Sequence, residues 1–253
     1  MQIAKLATVI LTLAVIVLTP TGAAAEFAKD TIAISGGELT VFPINHATFV
    51  MTGAGKVIYV DPVGGAEAFG DFEPPDLILI THIHGDHTSA ETMQTISTVD
   101  TVVIAPTTVA EKLGKGISGN FQILANGESF EWEGIKIEAV PAYNLTEDRQ
   151  NFHPEGRDNG YVVTIGGKRI YIAGDTEDIP EMRALENIDA AFVCMNLPYT
   201  MTVESAADAV LEFAPKIVYP YHYRGKDGMS DLEAFKKVVA GNPEIEVRLL
   251  DWY

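Results

Sequence analysis

An apolar run that ends in four metal-ligating side chains within six residues constrains this chain more than any other feature. Leu77-Ile78-Leu79-Ile80 feeds directly into Thr81-His82-Ile83-His84-Gly85-Asp86-His87. The fold must therefore bring the end of a buried strand to a polar pocket. Imidazole and carboxylate are the ligands that zinc and its neighbours prefer. Crowding four of them at a buried strand end is costly unless a cation compensates. The chain has six histidines in all, so three in this segment is not a compositional accident. In extended chain, side chains at i and i+2 point the same way, which lets His82 and His84 converge on one cation. Gly85 permits the turn that must follow. Asp86 and His87 come after it and face a second site. Two adjacent metals sharing a solvent ligand suit this spacing better than a closed structural site does.

The rest of the chain reads as one continuous unit of strands and helices, without repeats or low-complexity linkers. Its 253 residues suit one large α/β domain with a closed core. Strands are expected at 39–42, 46–51, 56–60, 76–80 and 101–105, with a helix at 106–114 opened by Pro106 and closed by Gly114. Residues 121–124, 128–132 and 135–140 suggest a strand ladder turning at Glu133-Gly134. A hairpin is expected over 160–165 and 168–173 around Gly166-Gly167. Then come a buried strand at 189–195, an amphipathic helix at 202–213, a strand at 216–220, a helix at 231–240 and a last strand at 245–250. Two strand-rich halves, each followed by helices, predict two sheets packed face to face with helices outside.

Residues 1–25 read as a secretory signal. Lys5 is their only charge, residues 6–18 are apolar, Pro20 breaks the run, and Ala23-Ala24-Ala25 offers a cleavage site before Glu26. A retained membrane anchor is the alternative, but the apolar core is short for a span of about 20 residues. The expectation is a secreted or periplasmic domain over 26–253, with no stable membrane association once the signal is removed. Cys194, the single cysteine, sits among apolar neighbours and reads as a buried strand thiol. The net charge of −18 becomes −19 once Lys5 leaves with the signal. Such a chain repels phosphate backbones, and it has no basic run, which argues against nucleic acid as a partner and for a small-molecule substrate. Nothing in the sequence specifies an oligomeric state.

Further ligands must come from far along the chain. Asp175, in Gly174-Asp175-Thr176 at the end of a strand, is placed to bridge two cations. His222 ends the strand that runs into Pro220-Tyr221-His222-Tyr223. Taken together, His82-x-His84-x-Asp86-His87, the downstream Asp175 and the final His222 resemble the metallo-β-lactamase superfamily over most of residues 31–251. The nearest resemblance is to the metal-dependent hydrolase branch that includes ascorbate-6-phosphate lactonase-like proteins, through Asn45-His46-Ala47, Tyr171–Thr176 and Pro220-Tyr221-His222. This resemblance implies an αββα sandwich of two mixed sheets flanked by helices, with the site at one edge and zinc as the usual metal. One or two zinc ions are expected, with Mn2+ or Fe2+ as alternatives.

One departure from that pattern matters. The superfamily commonly has another histidine between the first cluster and the bridging aspartate, and here Asn144 stands in its place, in Pro141-Ala142-Tyr143-Asn144. An amide oxygen is a weaker zinc ligand than imidazole. His153, nine residues on, is a candidate substitute, and a loop histidine touching substrate is the other reading of it. His46 is a candidate for contact with a ligand or with substrate. Tyr143, Tyr199 and Tyr223 are weaker candidates to line the pocket.

The expected activity is metal-assisted hydrolysis of an ester, lactone or phosphoester, since bound cations lower the pKa of water to about 7. Asp86 is expected to orient the attacking oxygen and relay its proton. Three readings compete: a metal-binding module with weak or lost catalysis, a β-lactam hydrolase, and a diiron redox site. Histidine at 84 argues against the last, because iron suits a carboxylate there.

Overall fold

The computed structural model describes residues 28–253, so the expected signal segment lies outside the described residues. The chain starts as an antiparallel meander: β1 (Asp30–Ile34), β2 (Gly37–Asn45), β3 (Thr48–Gly53) and β4 (Lys56–Val60). Three strands then add in parallel, β5 (Leu77–Leu79), β6 (Val102–Ala105) and β7 (Asn120–Ile123). Parallel neighbours need crossovers, and α1 (Ala90–Ile96) and α2 (Thr107–Leu113) supply two of them.

The second half repeats the scheme. An antiparallel meander of β8 (Ser129–Trp132), β9 (Ile135–Ala142), β10 (Asp158–Ile165) and β11 (Lys168–Ile172) is followed by parallel β12 (Ala190–Cys194) and β13 (Ile217–Tyr221). The crossovers are α3 (Pro180–Arg183) and α4 (Val203–Phe213). A short hairpin, β14 (Arg224–Gly225) and β15 (Gly228–Met229), leads to α5 (Leu232–Val239) and to β16 (Glu246–Val247), which pairs in parallel with β13. Two mixed seven-stranded sheets result, in the orders β1-β2-β3-β4-β5-β6-β7 and β16-β13-β12-β11-β10-β9-β8.

Strand alternation explains how the apolar run before the histidines is used. Leu77 and Leu79 face inward, into a core shared with Tyr161, Tyr171, Phe192 and other residues of the second sheet. Ile78 and Ile80 face outward, onto Met93 and Ile96 of α1 and Val109 and Leu113 of α2. Both faces of β5 are thus apolar, which is why the run is unbroken. The helices lie outside, giving the expected αββα sandwich.

Local expectations fail in three places. The ladder expected over 121–140 is divided between the sheets. Leu124 N–H still bonds Ala105 of the first sheet, whereas Gly127 N–H, at φ 83°, bonds Ala139 of the second, so the chain changes sheets between them. The last strand spans Glu246–Val247 rather than 245–250. At Arg248 the side chain reaches across to Asp30 Oδ2 (3.0 Å) and the Thr31 carbonyl (2.9 Å) of the other sheet. Finally, β1 and α1 fall in stretches for which the sequence raised no expectation. In α1, Ser89 caps the Thr92 N–H and seven residues follow.

Candidate metal centre

All six histidines of the chain converge at one edge of the sandwich, where loops leave the ends of strands from both sheets. Beyond β5 the backbone is held from two sides. The Asn159 N–H donates to the Thr81 carbonyl (3.0 Å), and the Tyr161 hydroxyl donates to the Ile80 carbonyl (2.8 Å). The chain then turns, with the His87 and Thr88 N–H groups bonding the His84 carbonyl. Gly85 is not what permits this turn: its φ is not positive, and a Cβ there would meet nothing within 4 Å. The glycine that matters is Gly174, at φ +64°, where a Cβ would lie 3.0 Å from the Asn159 carbonyl oxygen and 3.1 Å from Thr81 Cβ. It lets the loop carrying Asp175 pass against the loop carrying the first histidines.

Three groups of ligand atoms form, each within 4.8 Å: His82, His84 and His153; His82, His87 and Asp175; His46, Asp86 and His222. His82 Nε2 and His84 Nδ1 are 3.1 Å apart. Asp175 links the groups. Its Oδ1 lies 3.4 Å from His87 Nε2 and 3.2 Å from His222 Nε2, and its Oδ2 lies 3.4 Å from His153 Nε2. Asp86 Oδ2 lies 3.3 Å from His46 Nε2 and 3.6 Å from His222 Nε2.

A divalent cation fits these residues. His87 Nε2 and Asp175 Oδ1 are buried and make no hydrogen bond, an arrangement that is costly for polar atoms unless something further satisfies them. Burial, aided by the neighbouring His87, pushes the His82 imidazole well below its usual pKa. Burial also lowers His84 and His222, which favours the neutral ring that a metal ligand needs. Burial opposes ionisation of Asp175, but the His222 and His87 rings outweigh it and hold the carboxyl well below its usual range. At His87, burial is likewise overridden, by Asp175 and Asp61, and the ring is raised to about 9. The carboxylates demand positive charge here, and either a proton on His87 or a metal ion supplies it.

Partners behind these rings orient them. His87 Nδ1 is 2.7 Å from Asp61 Oδ2, which directs Nε2 toward Asp175. Asp61 is fully buried, at φ 44°, and also accepts from the N–H and hydroxyl of Thr81, at 2.7 Å each. His222 Nδ1 faces the Asn196 amide at 3.2 Å, and His153 Nδ1 lies 3.4 Å from Asp158 Oδ2. Behind His46, the Arg224 N–H donates to the Tyr253 hydroxyl (3.2 Å), and that hydroxyl shares a hydrogen bond with His46 Nδ1 (2.6 Å). Its Nε2 faces Asp86 Oδ2, so His46 stands beside Asp86 and His222 in the third group of ligand atoms. His46 (φ 58°) and His222 (φ 46°) both adopt the left-handed backbone, which non-glycine residues avoid, and the His222 N–H bonds the His46 carbonyl.

Asn144 stands apart from these groups. Its amide donates to the carbonyls of Arg149 (2.9 Å) and Tyr199 (2.7 Å), so its NH2 staples two loops. Its own N–H bonds the His153 carbonyl, and it is His153 that stands beside His82 and His84, with ring centroids 5.0 and 4.9 Å away. Of the tyrosines, Tyr199 lines the cavity over the centre, whereas Tyr143 bonds Glu181 and Tyr223 packs edge-on against Tyr253. Burial pushes the Cys194 thiol up to about 12, which suits a core side chain and not a nucleophile. Sequence reasoning missed Asp61, Asn196, Asp158, Tyr253 and Arg224. Only Asp61 carried a signal, as an acidic residue ending the strand next to β5.

Known proteins share this fold and much of this sequence. A family model described as a β-lactamase superfamily domain matches residues 40–222. A metal-dependent hydrolase of Pyrococcus abyssi is 33% identical over 215 residues, covering 81% of this chain and 93% of that protein. A crystal structure from Parabacteroides distasonis, assigned as a metal-dependent hydrolase, superposes with a TM-score of 0.81 at 43% identity, covering 90% of this chain and all of that one. CmlA, a diiron β-hydroxylase from Streptomyces venezuelae, shares the fold at a TM-score of 0.63 and 18% identity, covering 90% of this chain and 54% of its own. The fold therefore hosts more than one chemistry, and the site must carry the argument about function.

Proposed function

The chain belongs to the β-lactamase superfamily, and from that membership we propose that it is a metal-dependent hydrolase of a small ester, lactone or phosphoester. The observation that carries the reading is the Asp175 carboxylate, buried and shared between His153 on one oxygen and His87 and His222 on the other. His82, His84 and His153 would hold one ion, and Asp86, His87 and His222 a second, with Asp175 common to both. Neutral imidazole with a few carboxylates suits zinc best, ahead of Mn2+ or Fe2+. Bound metal lowers the pKa of water and polarises the oxygen of the group under attack.

The protein groups do the remaining work. Asp86, whose Oδ2 faces His46 Nε2, orients the attacking water. Its side chain is 46% exposed against 4% for Asp175, so of these two carboxylates Asp86 is the one in contact with solvent. Burial opposes ionisation of Asp86, but the hydrogen bond from His46 and the nearby His87 and His222 rings keep it a carboxylate. Loops around Phe152 and Tyr199 enclose a cavity of about 350 Å³, a size that suits a small molecule. The apolar segment of residues 1–25 supports a place of action outside the cytoplasm.

The test is a panel of 4-nitrophenyl esters, γ-lactones and phosphodiesters, assayed before and after chelation. Turnover of at least one class, abolished by chelator and restored by Zn2+ or Mn2+, supports the proposal. A metal-replete protein inert toward every class contradicts it and favours a metal-binding module.

A further inference from the structure

Arginine pairing across the chain singles out one residue. Acidic side chains outnumber basic ones, 35 to 17, so a free guanidinium is unusual here. Five of the six arginines hold a carboxylate: Arg149 with Glu177, Arg157 with Asp158, Arg169 with Glu138, Arg183 with Asp178, and Arg248 with Asp30. Among the described residues, the guanidinium of Arg224 holds none. Among the described residues, it is the only Lys or Arg side chain lining the cavity over the metal centre.

Arg224 is also held in place. Its guanidinium carbon sits 4.6 Å from the centroid of the Tyr253 ring, a cation–π contact that limits its rotamers while leaving its N–H edges free. Its backbone N–H bonds the Tyr253 hydroxyl. The β14–β15 hairpin is clamped to the Leu197 loop, since the Lys226 N–H bonds the Leu197 carbonyl (2.9 Å) and a Cβ on Gly225 would fall 2.0 Å from that same oxygen. An exposed arginine that lines the cavity, packs its guanidinium on a ring and, among the described residues, pairs with no carboxylate is a ready partner for an oxyanion, which it can bind through two parallel N–H bonds. Phe152 and Tyr199, edge to face at 5.2 Å, give the same cavity an apolar wall.

Resting on the hydrolase reading above, we propose that Arg224 is a substrate-recognition residue and that the substrate carries an oxyanion, a carboxylate or a phosphate, apart from the bond that is cleaved. This explains how a chain of net charge −18 accepts an anionic substrate: one local cation outweighs the distant field, which salt screens.

The experiment is calorimetric binding to the metal-loaded protein at low ionic strength. The probes are butyrate, the dicarboxylates succinate, glutarate and adipate, and 3-phosphonopropionate. Each carries one carboxylate for the metal centre, and all but butyrate carry a second anion. The expected result is that at least one dianionic probe binds about tenfold tighter than butyrate, as one charge-assisted contact allows. Arg224→Gln should bring the two within about twofold, and Arg224→Lys should retain part of the preference. A preference for phosphonopropionate over the dicarboxylates identifies phosphate as the group, and the reverse identifies carboxylate. Lys226→Gln removes an equal charge from the same hairpin outside the cavity, and it should keep the preference. Equal wild-type affinities for all probes, or an equal loss in the Lys226 variant, overturns the proposal. Hydrolysis of 4-nitrophenyl butyrate, measured in parallel, reports on the hydrolase reading separately.

Discussion

The two halves of the molecule are built on one hydrogen-bonding plan and serve the site in different ways. Each is a four-stranded antiparallel meander extended by three parallel strands, and each places its loops at the same edge. After β5, the first half delivers His82, His84, Asp86 and His87 in one short stretch. The second half delivers single residues from separate loops: His153 before β10, Asp175 after β11 and His222 after β13. The first half therefore provides a local cluster, which is incomplete alone. The second provides the carboxylate that neutralises it and the rings that close each group.

If this division holds, the largest loss should come from the residue that joins the halves. Asp175→Ala should reduce hydrolysis by more than about 100-fold, the upper end for residues that only orient a ligand, and should lower metal content as well. Retention of full metal with only a small rate loss would place the junction elsewhere.

Asp61→Asn probes the first half from behind. Asn offers its NH2 to His87 Nδ1, which then accepts, so the ring proton moves to Nε2 and faces the ligand site. Metal affinity should fall by about 10- to 100-fold in a competition titration. Unchanged affinity would show that Asp61 serves only the Thr81 backbone.

Asn144→Ala separates stapling from ligation in the second half. It removes two donors from half-buried carbonyls, so the chemical-denaturation midpoint should fall with a loss of about 1–2 kcal/mol while metal content stays constant. A stable variant that has lost metal would make Asn144 a ligand after all.

The smallest effect concerns protons. Because the Asp175 and Asp61 carboxylates raise His87 to about 9, that ring is charged at neutral pH until metal binds, and its proton must then leave. Apparent metal affinity should rise with pH between 6.5 and about 9, and calorimetry in buffers of different ionisation enthalpy should show proton release at pH 7. Binding that releases no proton would mean that the carboxylates do not hold His87 charged.

The same contrast explains what was legible in the sequence. The cluster at 82–87 is readable because its residues are neighbours in the chain and follow an unbroken apolar run. The hairpin around Gly166-Gly167 is readable because its glycines sit between two apolar strands. Asp61, Asn196 and Arg224 are isolated polar residues at strand ends, and nothing local separates them from ordinary turn residues. Their importance depends on which loops the two sheets bring together. The Gly85 expectation failed for a related reason: a glycine beside histidines invites a conformational role, yet the tightly packed loop belongs to Gly174. His153 entered as a candidate only through the asparagine at 144, and its burial against Asp175 depends on the long loop before β10.

On the proposed reading, both halves are needed to build a two-ion centre, with His153 closing the first group. The most direct test is metal content by mass spectrometry on the purified protein and on His153→Ala. About two ions per chain are expected, falling to about one in the variant. One ion or fewer in the wild type, or two in both proteins, would contradict it.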